Sequence, residues 1–492
     1  MRKKVLSGML AAAMLLGTMV GCGADAEEVT NQANGGAADG ETLTGRIYNG
    51  ELEHDVTIQV LENDTAISKG YFQELIDAFN EEYAEYGIVA VDANMDQYLD
   101  LANDGPYGYG PDVLYQANDV IMKYAEGKHI YPIPAEQLDC YDQVPQEAWM
   151  AYDAKISGSS YTCGVPVNIQ APMLYYRKDL LPEDWESTWD EDGNGVPDMT
   201  ESWNKMYAFS KERHAANANN FGYMKSLNDM YFASGFLFSY GAYIFGDNNL
   251  NTTDIGFAAG DSEKGAWVLQ QLAGVMNEDC IDDTITTNAY SKVADGTYFA
   301  TLSTPDMYST FVDELSKVYE EEGLSKDEAK TKAEENIVMT SLPKLPKSGD
   351  LSEENPELMD SIAMGGMNGY AISAYTKAPN ACLAFVDFAT SYDMMMKRSE
   401  MLGIAPARAD AAADAGEVSA DLFDRLNSNQ IVLMPSVEAV SQIWTPGKTF
   451  LIDVAKDAFR PEAEQKYKDL PALKQGLEEM SGQIYDAINT LQ

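Results

Sequence analysis

The sequence predicts an α/β protein built in two lobes, and three observations predict it. From Val56 onward, β-branched runs alternate with amphipathic helical stretches. The chain has 492 residues, 45% of them hydrophobic, which is more core material than one small domain needs. Beyond Val20 no segment has the length and apolarity of a membrane-spanning helix.

The first element is an export signal. Arg2, Lys3 and Lys4 precede an apolar stretch from Leu6 to Val20 that is too short to span a bilayer. It ends in Met19-Val20-Gly21-Cys22, which resembles the lipobox of bacterial lipoproteins, with Met in place of the usual Leu. The resemblance implies cleavage before Cys22 and lipidation of its thiol, so residues 1–21 are the signal peptide. From Gly23 to about Gly50 the chain is rich in Ala, Gly, Asn, Thr and acidic residues without hydrophobic periodicity. Residues 22–50 therefore read as a flexible tether.

The folded part opens with a strand over Val56–Leu61 and a helix whose Phe72, Leu75, Ile76, Phe79 and Tyr83 share one face. Ile88–Val91 reads as a second, buried strand and Asp112–Tyr115 as a third. A helix through Val120, Ile121, Tyr124 and Ala125 follows. This alternation favours a parallel sheet covered by helices on both faces. Ligands collect at the carboxyl ends of such strands, which points to the loops after Leu61 and Tyr115.

Charge narrows the function. With Lys+Arg 33 against Asp+Glu 79, the net charge is −46. Such a field repels nucleic acid and anionic headgroups, so no nucleic-acid partner is expected, and contact with the membrane is expected only through Cys22. Cys140, Cys163, Cys280 and Cys382 show no metal-ligand spacing and are compatible either with two disulfides or with four buried thiols.

Several segments, in order along the chain, resemble family 1 bacterial extracellular solute-binding proteins. They are Pro111–Asp119, Gly127–Ile133, Gly164–Val167 with Leu174–Leu181, Ala300–Pro305, Met364–Ser373, and Ala384–Phe388 with Gly403–Arg408. Within that family, Asn228–Phe232 and Met434-Pro435 followed by Val440–Trp444 are similar to sugar-contacting segments of maltodextrin-binding proteins. The resemblance implies a periplasmic-binding-protein-like fold with a ligand cleft between the lobes. It implies three hinge crossings, near Val167–Ala171, Ala363–Asn368 and roughly Ala409–Asp424. The first lobe is then 51–168 plus 366–408, and the second 169–365 plus 409–492.

By the same resemblance, Tyr231 and Trp444 are aromatic platforms for a sugar ring. Asp119, Gln170 and Tyr308 match other ligand-facing positions, and Asp64 lies near one. Asp, Asn and Gln suit hydroxyl-rich ligands because they satisfy hydroxyls in two directions. Ser234, Gln116 and Asp306 stand where maltodextrin binders commonly place tryptophan, so the aromatic cradle is thinner. Asp119 also suits a helix N-cap, and the aromatic run Phe236–Phe245 suits the lobe core. The expected ligand is a neutral oligosaccharide, malto-oligosaccharides first. The expected partners are the transmembrane permease subunits and cytoplasmic ATPase of an ABC importer. The chain itself is expected to be a monomer anchored at the outer face of the cell membrane.

A separate motif is independent of the family. Residues 190–201, Asp-Glu-Asp-Gly-Asn-Gly-Val-Pro-Asp-Met-Thr-Glu, fit D-x-[DN]-x-[DN]-G-x5-E at every specified position. Asp190, Asp192, Asn194, the Val196 carbonyl, Asp198 and Glu201 supply the oxygen set a Ca²⁺ ion takes. The loop reads as an insertion in the second lobe, with an exiting helix over Ser202–Arg213.

Enzyme motifs are missing. His54, His129 and His214 form no H-E-x-x-H, and no G-x-S-x-G occurs. Pro446–Thr449 looks like the tail of a phosphate loop, but Gln442 occupies the place of its first Gly. No enzymatic activity is expected. The alternatives are a surface glycoside hydrolase, whose carboxylate pair has no sequence signature, and a binding protein for a non-sugar solute.

Overall fold

The computed structural model describes residues 42–491 except 97–98, 157–158, 250, 283 and 436. The signal segment, Cys22 and most of the expected tether lie outside the described residues. In chain order the strands are β1 (Thr57–Leu61), β2 (Val89–Asp92), β3 (Val113–Ala117), β4 (Asp153–Ile156), β5 (Ser159–Thr162), β6 (Val165–Gln170), β7 (Met173–Arg177) and β8 (Phe221–Tyr223). They continue with β9 (Asn251–Ile255), β10 (Tyr298–Ser303), β11 (Ile337–Thr340), β12 (Leu345–Pro346), β13 (Leu358–Met359), β14 (Ala363–Ile372), β15 (Ala405–Pro406) and β16 (Ile431–Leu433).

Two main sheets carry the fold. The larger runs β15-β6-β14-β3-β1-β2, with β16 also paired to β14. Thr57 faces Val89 and Val60 faces Val113, both in parallel register. The sheet is mixed, not wholly parallel as expected: β14 runs antiparallel to both β3 and β6, and β15 antiparallel to β6. The smaller sheet runs β11-β7-β10-β8, with β10 parallel to β8 and antiparallel to β7. One crossing between the sheets is short. Only Ala171 and Pro172 separate β6 of the larger sheet from β7 of the smaller one.

Local chemistry explains the elements. The helix Tyr71–Glu82 buries Tyr71, Phe72, Leu75, Ile76 and Phe79, the face its periodicity marked. β6 and β10 are covered along almost their whole length because helices flank both faces of each sheet. β14 bulges between Asn368 and Gly369. A Cβ on Gly369 would sit 2.6 Å from the Tyr152 hydroxyl, so only glycine lets β14 close against β6.

Two further readings need correction. β2 begins at Val89 and is an edge strand, with Val89 exposed and Ala90 buried. The tether expected over 22–50 does not hold for residues 42–50: Thr42 caps a helical turn over Leu43–Ile47, Tyr48 is buried, and Asn380 binds the Gly50 amide at 3.3 Å. The ring of Tyr48 supplies the apolar area that composition alone hid. The aromatic run resolves to core, with Phe236, Phe238, Tyr240 and Phe245 buried and Tyr243 alone exposed.

Candidate functional site

Strand directions decide where a ligand can sit. β1, β3 and β6 all end on one edge of the larger sheet, where Gln170 pairs with Gly366 and Ala117 with Asn368. Through the crossing at Ala171–Pro172, β7 begins at Met173, which pairs with Ser303 at the end of β10. The carboxyl ends of β1, β3, β6 and β10 therefore converge on that crossing, and β8 ends on the same side as β10. Loop backbone at strand ends has amides and carbonyls not committed to the ladder, which makes this edge the candidate cleft.

The expected residues follow these strand ends. Asp64 opens the helical turn Asp64–Ser68 after β1 and is exposed, while the preceding Asn63 caps that turn through the Ala66 amide at 2.7 Å. Asp119 follows β3, half-buried in the first turn of the helix Asn118–Glu126. It is not the N-cap, since that place belongs to Ala117. Burial raises its pKa, and backbone amides at Val120 and Asp119 partly oppose the shift. A carboxylate in such a setting gains from any hydroxyl offered to it.

Gln170 closes β6, and its carbonyl accepts the Tyr231 hydroxyl at 3.1 Å. That bond ties the helix Met230–Ser239 to the last residue of β6 in the larger sheet. Tyr231 is half-buried, its ring edge-on to Phe232 at 5.3 Å, and burial holds its phenol well above the usual range. Trp444 is half-buried at the start of the helix Trp444–Asp457, which packs against the Met230–Ser239 helix. Within it, a Cβ on Gly447 would stand 2.5 Å from Met230 Cγ, so glycine sets the approach of the two helices. Gly447 is thus a helix-packing residue, not part of a phosphate loop. Tyr308 opens the helix Tyr308–Glu321, but its hydroxyl is directed to the Glu334 carbonyl at 3.5 Å, in the helix Lys326–Asn336.

The structure adds Asn118, which was not among the expected contacts, and places Asp306 at the same strand ends. Buried Asn118 accepts from the Met367 amide at 3.2 Å and donates to the Met434 carbonyl at 3.1 Å, joining β3, β14 and the segment leading to Trp444. Burial raises the pKa of Tyr231, Tyr175 and Tyr290, and the charge of Asp306, in the turn Pro305–Met307 after β10, adds to the shift. The sequence marked Asp306 only as standing where maltodextrin binders commonly place tryptophan; strand ends would have pointed to it as well, had β10 been read as a strand.

The loop 190–201 lies apart in sequence from all of these strand ends. Gly193 and Gly195 turn it with φ of 72° and 79°. Asp190 Oδ2 accepts the Gly195 amide at 3.1 Å, and the Asn194 amide donates to Asp192 at 3.2 Å and Glu201 at 2.9 Å. Burial, joined by repulsion from Asp192, Asp198 and Asp190, raises the Glu201 pKa; burial also raises that of Asp198. Asp198–Glu201 forms a helical turn, and the exiting helix runs Trp203–Ala216. In this arrangement no three His, Cys, Asp or Glu among the described residues close into a metal-holding group. The four cysteines Cys140, Cys163, Cys280 and Cys382 are free buried thiols, which settles the pairing question.

Comparison with known proteins agrees with this architecture. The family model of bacterial extracellular solute-binding proteins matches residues 74–423. The chain is 26% identical over 440 residues to the galactooligosaccharide-binding protein of Bacillus subtilis strain 168, covering 86% of this chain and 89% of that protein. It is 23% identical over 403 residues to the maltodextrin-binding protein MdxE of the same organism, covering 79% and 82%. Among solved structures, the maltose-binding protein MalE of Listeria monocytogenes in complex with maltose superposes with a TM-score of 0.66 at 18% identity, covering 88% of this chain and 98% of that one. MalX of Streptococcus pneumoniae in complex with maltopentaose gives 0.64 at 18%, covering 88% and 100%. These neighbours share the two-lobed α/β fold. The chain belongs to the family of bacterial extracellular solute-binding proteins.

Proposed function

We propose that this chain captures a neutral oligosaccharide between its lobes and delivers it to the permease of an ABC importer, without chemical conversion. The observation that carries this reading is the Tyr231–Gln170 bond at the crossing, with acidic and aromatic side chains gathered on the strand ends around it. Tyr231 offers a ring face to apolar C–H groups, and Asp119 offers a partly desolvated carboxylate to hydroxyls. The relatives' names, galactooligosaccharide- and maltodextrin-binding, support the ligand class. Malto-oligosaccharides are the first choice and galacto-oligosaccharides the nearest competitor. The test is a thermal-shift screen over malto-, galacto-, xylo- and fructo-oligosaccharides, followed by analysis of the sugar recovered. A stabilised protein with unchanged sugar supports capture; released product would move the assignment to a glycoside hydrolase.

The anchor and the metal belong to the same reading. Lipidation at Cys22 would hold the chain at the outer face of the membrane; Cys22→Ala should then leave the detergent phase, and normal partitioning would contradict the anchor. A Ca²⁺ ion fits the chemistry of the 190–201 loop: Asp190, Asp192, Asn194, the Val196 carbonyl, Asp198 and Glu201 are all oxygen donors. Asp190 Oδ1 is buried without a hydrogen-bond partner, and the carboxyls of Asp198 and Glu201 are raised in a way a cation would relieve. Asn194 would have to turn its amide oxygen inward.

A further inference from the structure

Asp306 carries a buried oxygen that the protein leaves unanswered. It sits in the single turn Pro305–Met307 that follows β10, at the convergence of strand ends described above. Its carboxyl is raised first by burial, with the Thr304 side chain and its own amide holding the ionised form. Oδ1 is enclosed and has no hydrogen-bond partner. Among the described residues no lysine or arginine forms an ion pair with it.

Donors stand nearby but are turned elsewhere. Tyr175, Tyr231 and Tyr290 all feel the Asp306 charge. The Tyr231 hydroxyl donates to the Gln170 carbonyl at 3.1 Å, and that of Tyr175 to the Thr304 carbonyl at 2.8 Å. Tyr290 pairs with the Ser303 side chain. None of these three hydroxyls satisfies Oδ1. An enclosed acceptor left unpaired costs the fold free energy, more so when it is charged. Native structures keep few such groups, and a ligand that supplies the missing donor is one reason to keep one. The residue as a whole is only half-covered, and the soft terminal torsion of Asp lets the carboxylate swing its free oxygen towards the cleft.

We infer that Asp306 is a specificity-determining residue of the second lobe, accepting hydroxyl protons from a sugar ring that lies against Tyr231. This rests on the oligosaccharide reading and refines it. Where an aromatic platform would reward any flat sugar face, a carboxylate rewards a ring that offers hydroxyl donors, ideally a vicinal pair to its two oxygens. The second lobe then selects by hydroxyl position more than by stacking.

The test is calorimetry with the tightest neutral oligosaccharide from the panel, on wild type, Asp306→Asn, Asp306→Leu and Trp444→Ala, with melting of each ligand-free protein. Asp306→Leu is expected to bind roughly thirty- to a hundredfold more weakly and Asp306→Asn about tenfold, because charge-assisted bonds are lost. Ligand-free Asp306→Asn should melt higher than wild type, since the unpaired buried charge is gone; a purely structural carboxylate would make it melt lower. If wild type binds a sugar and Trp444→Ala weakens it while both Asp306 variants bind normally, the Asp306 assignment falls and the oligosaccharide reading stands. If wild type binds no neutral sugar, the oligosaccharide reading falls and takes the assignment with it. Tighter binding of amino sugars than of neutral ones would overturn the assignment too, making Asp306 a counter-charge.

Discussion

Glu62 and Arg398 face each other through two hydrogen bonds of 2.9 Å, from Nη1 to Oε2 and from Nη2 to Oε1, with both side chains almost fully enclosed. Tyr370 donates to Glu62 Oε2 at 2.6 Å, and the guanidinium lies 4.0 Å from the Tyr115 ring centroid. Glu62 directly follows β1, so the pair fixes the start of the loop carrying Asn63 and Asp64 and ties it to the helix Tyr392–Leu402. The attraction of such a pair only offsets the desolvation of two charges, so its effect shows when one partner is removed. Glu62→Gln should destabilise the protein by about 3–5 kcal/mol, and Glu62→Leu with Arg398→Met should recover much of that. Urea titration of the three variants checks it. A Glu62→Gln protein as stable as wild type would mean that the guanidinium finds water instead.

Ligand affinity should depend on Trp444. Its helix is seated against Met230, the neighbour of Tyr231, at the one position where Gly447 allows close approach. Removing the indole deletes a large apolar face while leaving that seat intact. Trp444→Ala is expected to weaken oligosaccharide binding by roughly ten- to a hundredfold, and Trp444→Phe by much less, since a ring is worth on the order of 1–3 kcal/mol. Asp119→Asn should weaken it through lost hydroxyl acceptance. Calorimetry decides; a folded Trp444→Ala that binds like wild type makes Trp444 a core residue.

What the sequence revealed follows from how local each signal is. The strands β1 and β3 and the helix Tyr71–Glu82 were readable because alternation and the helical period are short-range patterns. The antiparallel course of β14 was not, because pairing depends on which strands the chain brings together afterwards. Among site residues, Tyr231 and Trp444 carry motif context in their own neighbourhoods. Tyr308 shared that context, yet its hydroxyl turns to Glu334. Asp306 was legible only as a departure from tryptophan, not as an unpaired acceptor, since an unsatisfied oxygen is defined by where neighbouring hydroxyls point. Glu62–Arg398 joins residues over three hundred positions apart, and no pattern along the chain records such a meeting.

Calcium should stabilise the second lobe through the 190–201 loop. Burial and mutual repulsion raise the Asp198 and Glu201 carboxyls above 3.8 and 4.5. The metal-free folded state therefore holds those protons more tightly than the unfolded chain, and it loses stability as pH rises through that range. Chelator should lower the melting temperature at pH 7 and have less effect near pH 4.5. Asp190→Ala with Glu201→Ala should abolish the sensitivity. Identical melting of wild type in chelator and in calcium would remove the metal from the proposal.

Lys225 supplies the last test. It follows β8, is 3% exposed, and its ammonium lies 3.4 Å from the Phe232 ring centroid. Burial lowers its pKa from 10.5 to about 8, with Asp229 opposing the shift. The unfolded chain thus binds this proton more tightly than the folded one. Below about pH 8 the folded state carries an unfavourable buried charge, and the penalty is relieved as pH rises from about 8 towards 10.5. Lys225→Met keeps the volume and the contact with Phe232 while removing the charge. It should be more stable than wild type by about 1–3 kcal/mol at pH 7. That advantage should shrink steadily between pH 8 and 10, whereas titration of the other groups cancels in the difference. Chemical denaturation of both proteins over that range measures it. A constant difference across the range would show that Lys225 does not titrate there, and a less stable Lys225→Met at pH 7 would show that the ring and Asp229 hold the ammonium better than burial opposes it.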